Sequence, residues 1–102
     1  KTGLTRIYLS RLEYAEVIGR TLIYHLNDGS VIEAVGSMNE LGKELLSHPC
    51  FIKTHRSYII NMEQIDTIRQ REVRMQSRAV VPMSKANSNI VKSAYITFAF
   101  KE

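Results

Sequence analysis

The sequence lacks the features of disulfide-bonded proteins and of proteins that span a membrane with helices. Its single cysteine, Cys50, cannot form an internal disulfide, so a reducing compartment is expected. No apolar run approaches the roughly 20 residues that span a bilayer, and the first residues lack the apolar stretch of a signal peptide. We therefore expect a cytoplasmic protein in which Cys50, between Pro49 and Phe51, is a small buried side chain.

Groups that carry catalysis or bind metals are also sparse. The candidate metal ligands are one cysteine and three histidines, Cys50, His25, His48 and His55. Their spacings match none of the usual paired zinc patterns. An enzyme would need convergent acid, base or nucleophilic groups, and the acidic residues form no recognisable pair or triad. The sequence therefore predicts no enzyme, no cofactor and no metal site.

Length and charge narrow the class of protein. With 102 residues, 44% of them hydrophobic, the chain can bury one core, and we treat residues 1–102 as a single domain. Residues 1–52 carry five basic and six acidic groups, whereas residues 53–92 carry eight basic and three acidic ones. Such asymmetry is typical of a surface that binds a polyanion, because each neutralised phosphate releases counterions. A solvated basic surface would have the same composition, so charge alone leaves both interpretations open.

Apolar periodicity predicts a chain that is mainly β. Alternating segments, bounded by turn residues, predict strands at residues 5–9, 12–17, 21–27, 30–35, 64–70, 72–76 and 79–83. Gly19-Arg20 breaks the pattern early, and Asp28-Gly29 is a hairpin signal.

Two segments change to a helical period. Ser37 and Glu40 form a capping box ahead of an apolar stripe that Pro49 ends. A second helix is predicted to begin at Ser84 and to run through Tyr95. The tail at residues 96–100 fits either a strand or a continued helix.

The central stretch, Phe51 to Asn61, concentrates polar donors inside an apolar frame. The donors are Lys53, His55, Arg56 and Ser57, and no acidic residue lies between Phe51 and Met62. In a regular strand Arg56 would share a face with apolar residues. We therefore predict a bulge or kink at residues 55–57 that redirects these side chains.

Three basic residues lie at predicted breaks in regular structure: Arg20, Arg56 and Lys85. Loops on a rigid scaffold usually carry recognition residues. We predict that the three side chains line up along one flank of the molecule and carry its function.

The sequence H-R-S-Y-I-I-N at residues 55–61 is followed in order by P-M-S-K at residues 82–85. On these motifs the chain resembles the LytTR family of DNA-binding domains, which end many bacterial response regulators. The resemblance extends over nearly the whole chain, because the Gly19-Arg20 break and the Asp28-Gly29 hairpin also match.

The resemblance implies a fold and a mode of binding. The expected fold is an elongated, mainly β assembly of small antiparallel sheets with one or two short helices. Such domains read double-stranded DNA by inserting loops into successive major grooves. By position, Arg20 and Lys85 would contact bases and Arg56 would lie between them. Lys53, His55 and Ser57 belong to the same motif.

The resemblance also implies a context. The chain would be the C-terminal part of a longer two-component regulator that binds paired direct repeats. The isolated domain would be a monomer, with dimerisation through an upstream domain.

Some residues depart from the family pattern. Lys85 replaces a common arginine, which loosens bidentate base recognition. Ser77-Arg78-Ala79 replaces the usual Asn-Gly hairpin, so that turn can differ in length or type. Tyr8 replaces a proline in the first strand.

Structural roles remain open for several of the named residues. His55 can tie strand to loop, Asn61 can bond backbone in a turn, and Ser84 can cap a helix. Arg69, Arg71 and Arg74 can belong to a solvated hairpin. The rival function is a β module that binds RNA or single strands on a stacking platform of Phe51, Tyr24 and Tyr58. Burial of those rings would argue against it.

Overall fold

The computed structural model describes residues 6–100, and their eight strands form two antiparallel sheets. The five-stranded sheet has the order β3-β2-β1-β5-β4. Its strands are β1 (Leu12–Ile18), β2 (Thr21–Leu26), β3 (Val31–Val35), β4 (Phe51–His55) and β5 (Tyr58–Asn61). The three-stranded sheet contains β6 (Ile65–Arg69), β7 (Glu72–Met75) and β8 (Val80–Pro82), in that order.

Two helices complete the fold, α1 (Met38–Leu45) and α2 (Lys85–Ala99), together with single 3-10 turns at Leu9–Arg11 and Met62–Gln64. The molecule measures 41 × 26 × 25 Å. The prediction of an elongated, mainly β fold of small antiparallel sheets is therefore confirmed. Among residues 6–100, no helix is long and apolar enough to cross a membrane.

The core has two parts, one on each face of the five-stranded sheet. Adjacent residues of β5, Ile59 and Ile60, are both fully buried because successive side chains of a strand point to opposite faces. Ile59 packs with Leu41 and Leu45 of α1, and Ile60 packs with the three-stranded sheet and Val91 of α2. Strand β5 is thus packed on both faces of the sheet, which makes it a rigid base for the turn that precedes it.

Helix α1 forms where the capping box predicted it. The Ser37 hydroxyl accepts from the Glu40 backbone N–H at 3.3 Å, and the Glu40 carboxylate accepts from the Ser37 N–H at 3.0 Å. Leu41 and Leu45 face the core, whereas Leu46 lies past the helix and is exposed. Local hydrogen bonding defines this helix start, and burial of one stripe stabilises it.

Three local predictions are corrected. The strand predicted at residues 5–9 is wrong over its described part, since residues 6–8 form no strand and Leu9 begins a 3-10 turn; residue 5 lies outside the described residues. The Asp28-Gly29 hairpin exists, but its loop spans residues 27–30, because Asp28 accepts from the Ser30 N–H and hydroxyl. Cys50 is half-buried rather than buried, and burial raises the pKa of its thiol.

A buried carboxylate joins the two sheets at one end of the molecule. A register shift in β1 between Leu12 and Tyr14 turns Glu13 into the interior, where it is 1% exposed. Its two carboxylate oxygens accept from the Ser77 N–H at 2.9 Å and from the Ser77 hydroxyl at 2.6 Å. Arg78 follows with φ +82°, so this turn uses a left-handed arginine at a position suited to glycine.

Helix α2 resolves the ambiguous tail. Ser84 caps the helix by accepting from the Asn87 N–H at 3.2 Å, as predicted. The helix continues to Ala99 because Phe98 extends the apolar stripe of α2, which packs with Ile60 and the three-stranded sheet. Phe100 lies past the helix and is exposed.

Candidate nucleic-acid interface

The turn between β1 and β2 presents Arg20. Gly19 has φ +61°, and no atom lies within 4 Å of the place where a Cβ would sit, so glycine is needed for the backbone and not for space. The Arg20 carbonyl accepts from the Gly36 N–H at 2.9 Å. This bond fixes the turn against the start of α1, while the Arg20 side chain is exposed.

The turn between β4 and β5 presents Arg56. The chain reverses at Arg56 and Ser57, and the pairing of β4 with β5 is irregular between Lys53 and His55. The predicted irregularity is present, but the chain makes a complete hairpin there and not a kink within one strand. The Arg56 side chain is therefore at the tip of a hairpin and exposed.

His55 ties this turn to its strand. Its Nδ1 accepts from the Ser57 N–H at 3.1 Å, and its ring lies edge-on to Tyr58 at 5.7 Å between centroids. Because Nδ1 accepts, the neutral ring carries its proton on Nε2. The structural role left open for His55 is thus present, and Nε2 keeps its capacity to donate.

The start of α2 presents Lys85. The Ser84 N–H donates to the Thr54 carbonyl at 2.9 Å, and the Asn87 side chain donates to the Lys53 carbonyl at 3.4 Å. These bonds hold the first turn of the helix against the end of β4. Lys85 is its first residue and is exposed.

Strand pairing brings these three turns to one end of the molecule. Antiparallel β1 and β5 pair Glu16 with Tyr58, so the end of β1 lies beside the start of β5. The Val17 N–H donates to the Ser57 carbonyl at 3.0 Å. Together with the bond from Ser84 to Thr54, this places the turns of Arg20, Arg56 and Lys85 in sequence along one end.

Four exposed cations on this end form no ion pair with a carboxylate of residues 6–100. They are Arg20, Lys53, Arg56 and Lys85. Free cations on fixed turns can neutralise an extended polyanion without first breaking internal ion pairs.

Comparison with known proteins gives the arrangement its context. The model of a DNA-binding family, described as the LytTr DNA-binding domain, matches residues 2–95. The chain belongs to the LytTR family. Among solved structures, it is similar to the LytTr DNA-binding domain of a Bacillus cereus protein described as a methyl-accepting/DNA response regulator. That match has a TM-score of 0.73 and 22% identity, and covers 86% of this chain and 84% of the other. No curated protein matches the chain.

The LytTR signature also contains residues whose work is structural. Asn61 is fully buried, and its side-chain amide donates to the Leu12 carbonyl at 3.0 Å and lies 3.4 Å from the Leu9 carbonyl. Its Oδ1 accepts from the Glu63 N–H at 2.9 Å. Asn61 therefore connects the signature to the chain ahead of β1, as its structural alternative predicted.

A cluster of polar and aromatic side chains on β1, β2 and β5 was not predicted from the sequence. Glu16 lies 2.6 Å from His25 Nε2, and Tyr14 stacks on the His25 ring at 4.2 Å. Burial and the Glu16 and Glu13 carboxylates raise the pKa of Tyr14 to about 12. Burial, the charge of Glu16 and a hydrogen bond to it raise the pKa of Tyr58. The alternation of Tyr14 and Glu16 in the sequence was the available signal.

This cluster affects the electrostatics of the interface. Glu16 is the acidic residue of β1 nearest in sequence to Arg20, and its carboxylate is engaged by His25 at 2.6 Å. Engaged in this way, it does not pair with the cations of the turns. In residues 6–100, no group of three or more histidine, cysteine, aspartate or glutamate side chains is placed to hold a metal ion.

Proposed function

We propose that this LytTR domain binds double-stranded DNA sequence-specifically, as the output module of a bacterial response-regulator transcription factor. The observation that carries the proposal is a set of exposed cations on three fixed turns at one end of the molecule, which pair with no carboxylate of residues 6–100. Family membership supports DNA as the partner. The family is one of DNA-binding domains, and the proposed function involves no chemistry.

Each residue has a proposed role that follows from its chemistry. Arg20 contacts O6 and N7 of a guanine bidentately, since its planar guanidinium matches that edge. Lys85 contacts a base edge as a point charge, which gives looser discrimination. Arg56, between them, sets the register of the domain on the duplex.

The remaining signature residues are proposed to contact the DNA backbone. Lys53 is exposed and supplies a charge, and Ser57 supplies a hydroxyl. His55 donates from Nε2, because Nδ1 already accepts from the turn. These contacts would fix position without reading sequence.

The proposed mode of reading inserts these turns into successive major grooves of the duplex. Fixed turns suit this mode of reading because little loop entropy is lost on binding.

The rival function, binding of RNA or single strands, is disfavoured by the aromatic side chains. Phe51 is 5% exposed and belongs to the part of the core that packs against helix α1. Tyr24 and Tyr58 are half-buried and pack against the two cores. Stacking of unpaired bases requires open ring faces, so double-stranded DNA is the better substrate for this surface.

Selection of bound duplexes from a random pool tests the proposal. A recovered consensus is expected, and its half-site spacing should show whether two grooves are read. Recovery of random duplexes only would refute specific binding, and a preference for single strands would favour the rival function.

Alanine variants then separate base contacts from phosphate contacts. Arg20→Ala or Lys85→Ala should cost about 1 to 3 kcal/mol on the selected site and relax discrimination at one base pair. Lys53→Ala should weaken all duplexes alike and reduce the salt slope by about one. Arg11→Ala is the matched control, since Arg11 lies at the other end of β1 from Arg20. Equal losses on selected and random duplexes would make Arg20 and Lys85 phosphate contacts.

Assembly is also part of the proposal. The domain is proposed to belong to a longer cytoplasmic protein, to be monomeric by itself, and to occupy each half of a paired direct repeat. Dimerisation would reside in an upstream domain. Sedimentation of the domain with duplexes carrying one or two repeats should give one and two bound copies. A stable dimer without DNA would contradict this.

A further inference from the structure

The three-stranded sheet and its turns carry four arginines, and the sequence left the role of three of them open: Arg69, Arg71 and Arg74. Two of the four lie within strands, Arg69 in β6 and Arg74 in β7, and Arg69 lies opposite Glu72 in the backbone pairing of these strands. Arg78 lies in the turn after β7, 3.8 Å from an Asp66 carboxylate oxygen. The fourth, Arg71, lies in the turn between β6 and β7. It is exposed, and it pairs with no carboxylate among residues 6–100.

The turn of Arg71 lies directly beside the segment that presents Lys85. The Met83 N–H donates to the Arg71 carbonyl at 2.8 Å. The next residue, Ser84, donates to Thr54 at 2.9 Å. The backbone of Arg71 is thus hydrogen-bonded to the segment just ahead of α2, whose next residue is hydrogen-bonded to β4.

Arg78 belongs to the opposite end of the same sheet. It follows Ser77, which is bound to Glu13 near the start of β1. Arg20 lies past the other end of β1. The two turns of the sheet therefore carry equal charges at opposite ends of the molecule.

We propose that Arg71 is a further DNA-contacting residue, which binds a backbone phosphate and extends the row formed by Arg20, Arg56 and Lys85. This inference rests on the proposed function. Backbone hydrogen bonds at or near these turns link the segments of the row: they run from Val17 to Ser57, from Ser84 to Thr54 and from Met83 to Arg71. If Lys85 enters a groove, Arg71, which is next to it in the row, would lie against the phosphodiester strand that bounds that groove.

The chemistry of Arg71 suits a phosphate. A guanidinium offers paired N–H donors that match phosphate oxygens. Contact with a phosphate carries no sequence information, so Arg71 would add affinity and fix register rather than discriminate bases.

The test compares Arg71→Gln with Arg78→Gln, which remove the same charge from opposite ends of one sheet. Affinity is measured on the selected duplex and on a random duplex over a range of salt concentrations. Arg71→Gln should weaken both duplexes equally, by about 3- to 10-fold, and reduce the slope of log K against log salt by about one. Arg78→Gln should leave the slope unchanged, and Arg71→Lys should restore most of it.

The possible outcomes separate the two proposals. An unchanged slope for Arg71→Gln, or an equal loss for Arg78→Gln, overturns the assignment of Arg71 while leaving specific binding intact. A loss confined to the selected duplex overturns the phosphate assignment, since it indicates a base contact. Absence of any preference in the wild-type domain refutes the proposed function itself. Thermal unfolding of each variant checks the fold, and Arg71→Lys keeps the charge if Arg71→Gln is unstable.

Discussion

Burial should decide how much a serine–carboxylate hydrogen bond contributes to stability in this domain. Two serine hydroxyls, those of Ser77 and Ser30, each donate to a carboxylate oxygen at 2.6 Å. The acceptors differ in environment, because Glu13 is 1% exposed whereas the side chain of Asp28 is 47% exposed. The perturbation is the same in both places, serine to alanine.

The expected magnitude follows from what is left unpaired. Ser77→Ala removes the donor to one Glu13 oxygen, which water cannot readily reach, and the Ser77 N–H remains bound to the other. Leaving a buried charged acceptor without one partner costs about 2 kcal/mol. In Ser30→Ala, water replaces the hydroxyl, so the loss should be clearly smaller.

The assay is reversible urea or thermal unfolding followed by circular dichroism. For a domain of this length, about 2 kcal/mol corresponds to a fall in Tm of about 10 °C for Ser77→Ala. DNA affinity of the folded variant should not change, because Ser77 lies away from the row of turns. Equal losses for the two variants, or a Ser77→Ala loss below about 0.5 kcal/mol, would refute the view that burial sets the strength of this contact.

Four further outcomes follow from single residues. Thr54→Val should stabilise the domain by about 1 kcal/mol in urea unfolding, because the buried Thr54 hydroxyl has no hydrogen-bond partner among the described residues. Asn61→Asp should destabilise it by about 3 kcal/mol, since a buried carboxylate would face backbone carbonyls that now receive an amide donor. Arg78→Gly should raise stability by about 0.5 to 1 kcal/mol by relieving a left-handed backbone, and no gain would show that the turn is unstrained. Burial, with two neighbouring carboxylates, raises the pKa of Tyr14 from 10.0 to about 12. The raised pKa should therefore contribute to the free energy of unfolding below pH 10, and this contribution should be lost as pH rises through about 12. Phenolate absorbance during alkaline titration measures the ionisation of the tyrosine.

Local features of the fold could be predicted because their causes lie within a few residues. The capping box at Ser37 and Glu40 and the cap at Ser84 define their helix starts through bonds to backbone three residues away. The break at Gly19 follows from a backbone conformation that glycine adopts without strain. These features place Arg20 and Lys85 at the ends of regular elements.

Other features could not be predicted because they depend on pairing between distant strands. Glu13 is buried beside a register shift in β1, where it accepts hydrogen bonds from a turn 64 residues later in the sequence. The irregularity at residues 55–57 was predicted, yet the complete reversal is set by the pairing of β4 with β5. Arg71 could not be distinguished from a solvated hairpin residue until its turn was placed beside Lys85.

The residues that can bind an anion, and their positions at breaks in regular structure, could be read from the sequence because side-chain charge and turn chemistry are local properties. The sequence also carried a signature specific enough to indicate the family. Folding brings the turns of Arg20, Arg56 and Lys85 to one end, with the turn of Arg71 beside them and that of Arg78 at the opposite end. Which turns meet depends on strand register and on hydrogen bonds between segments distant in the sequence, such as those from Val17 to Ser57 and from Ser84 to Thr54.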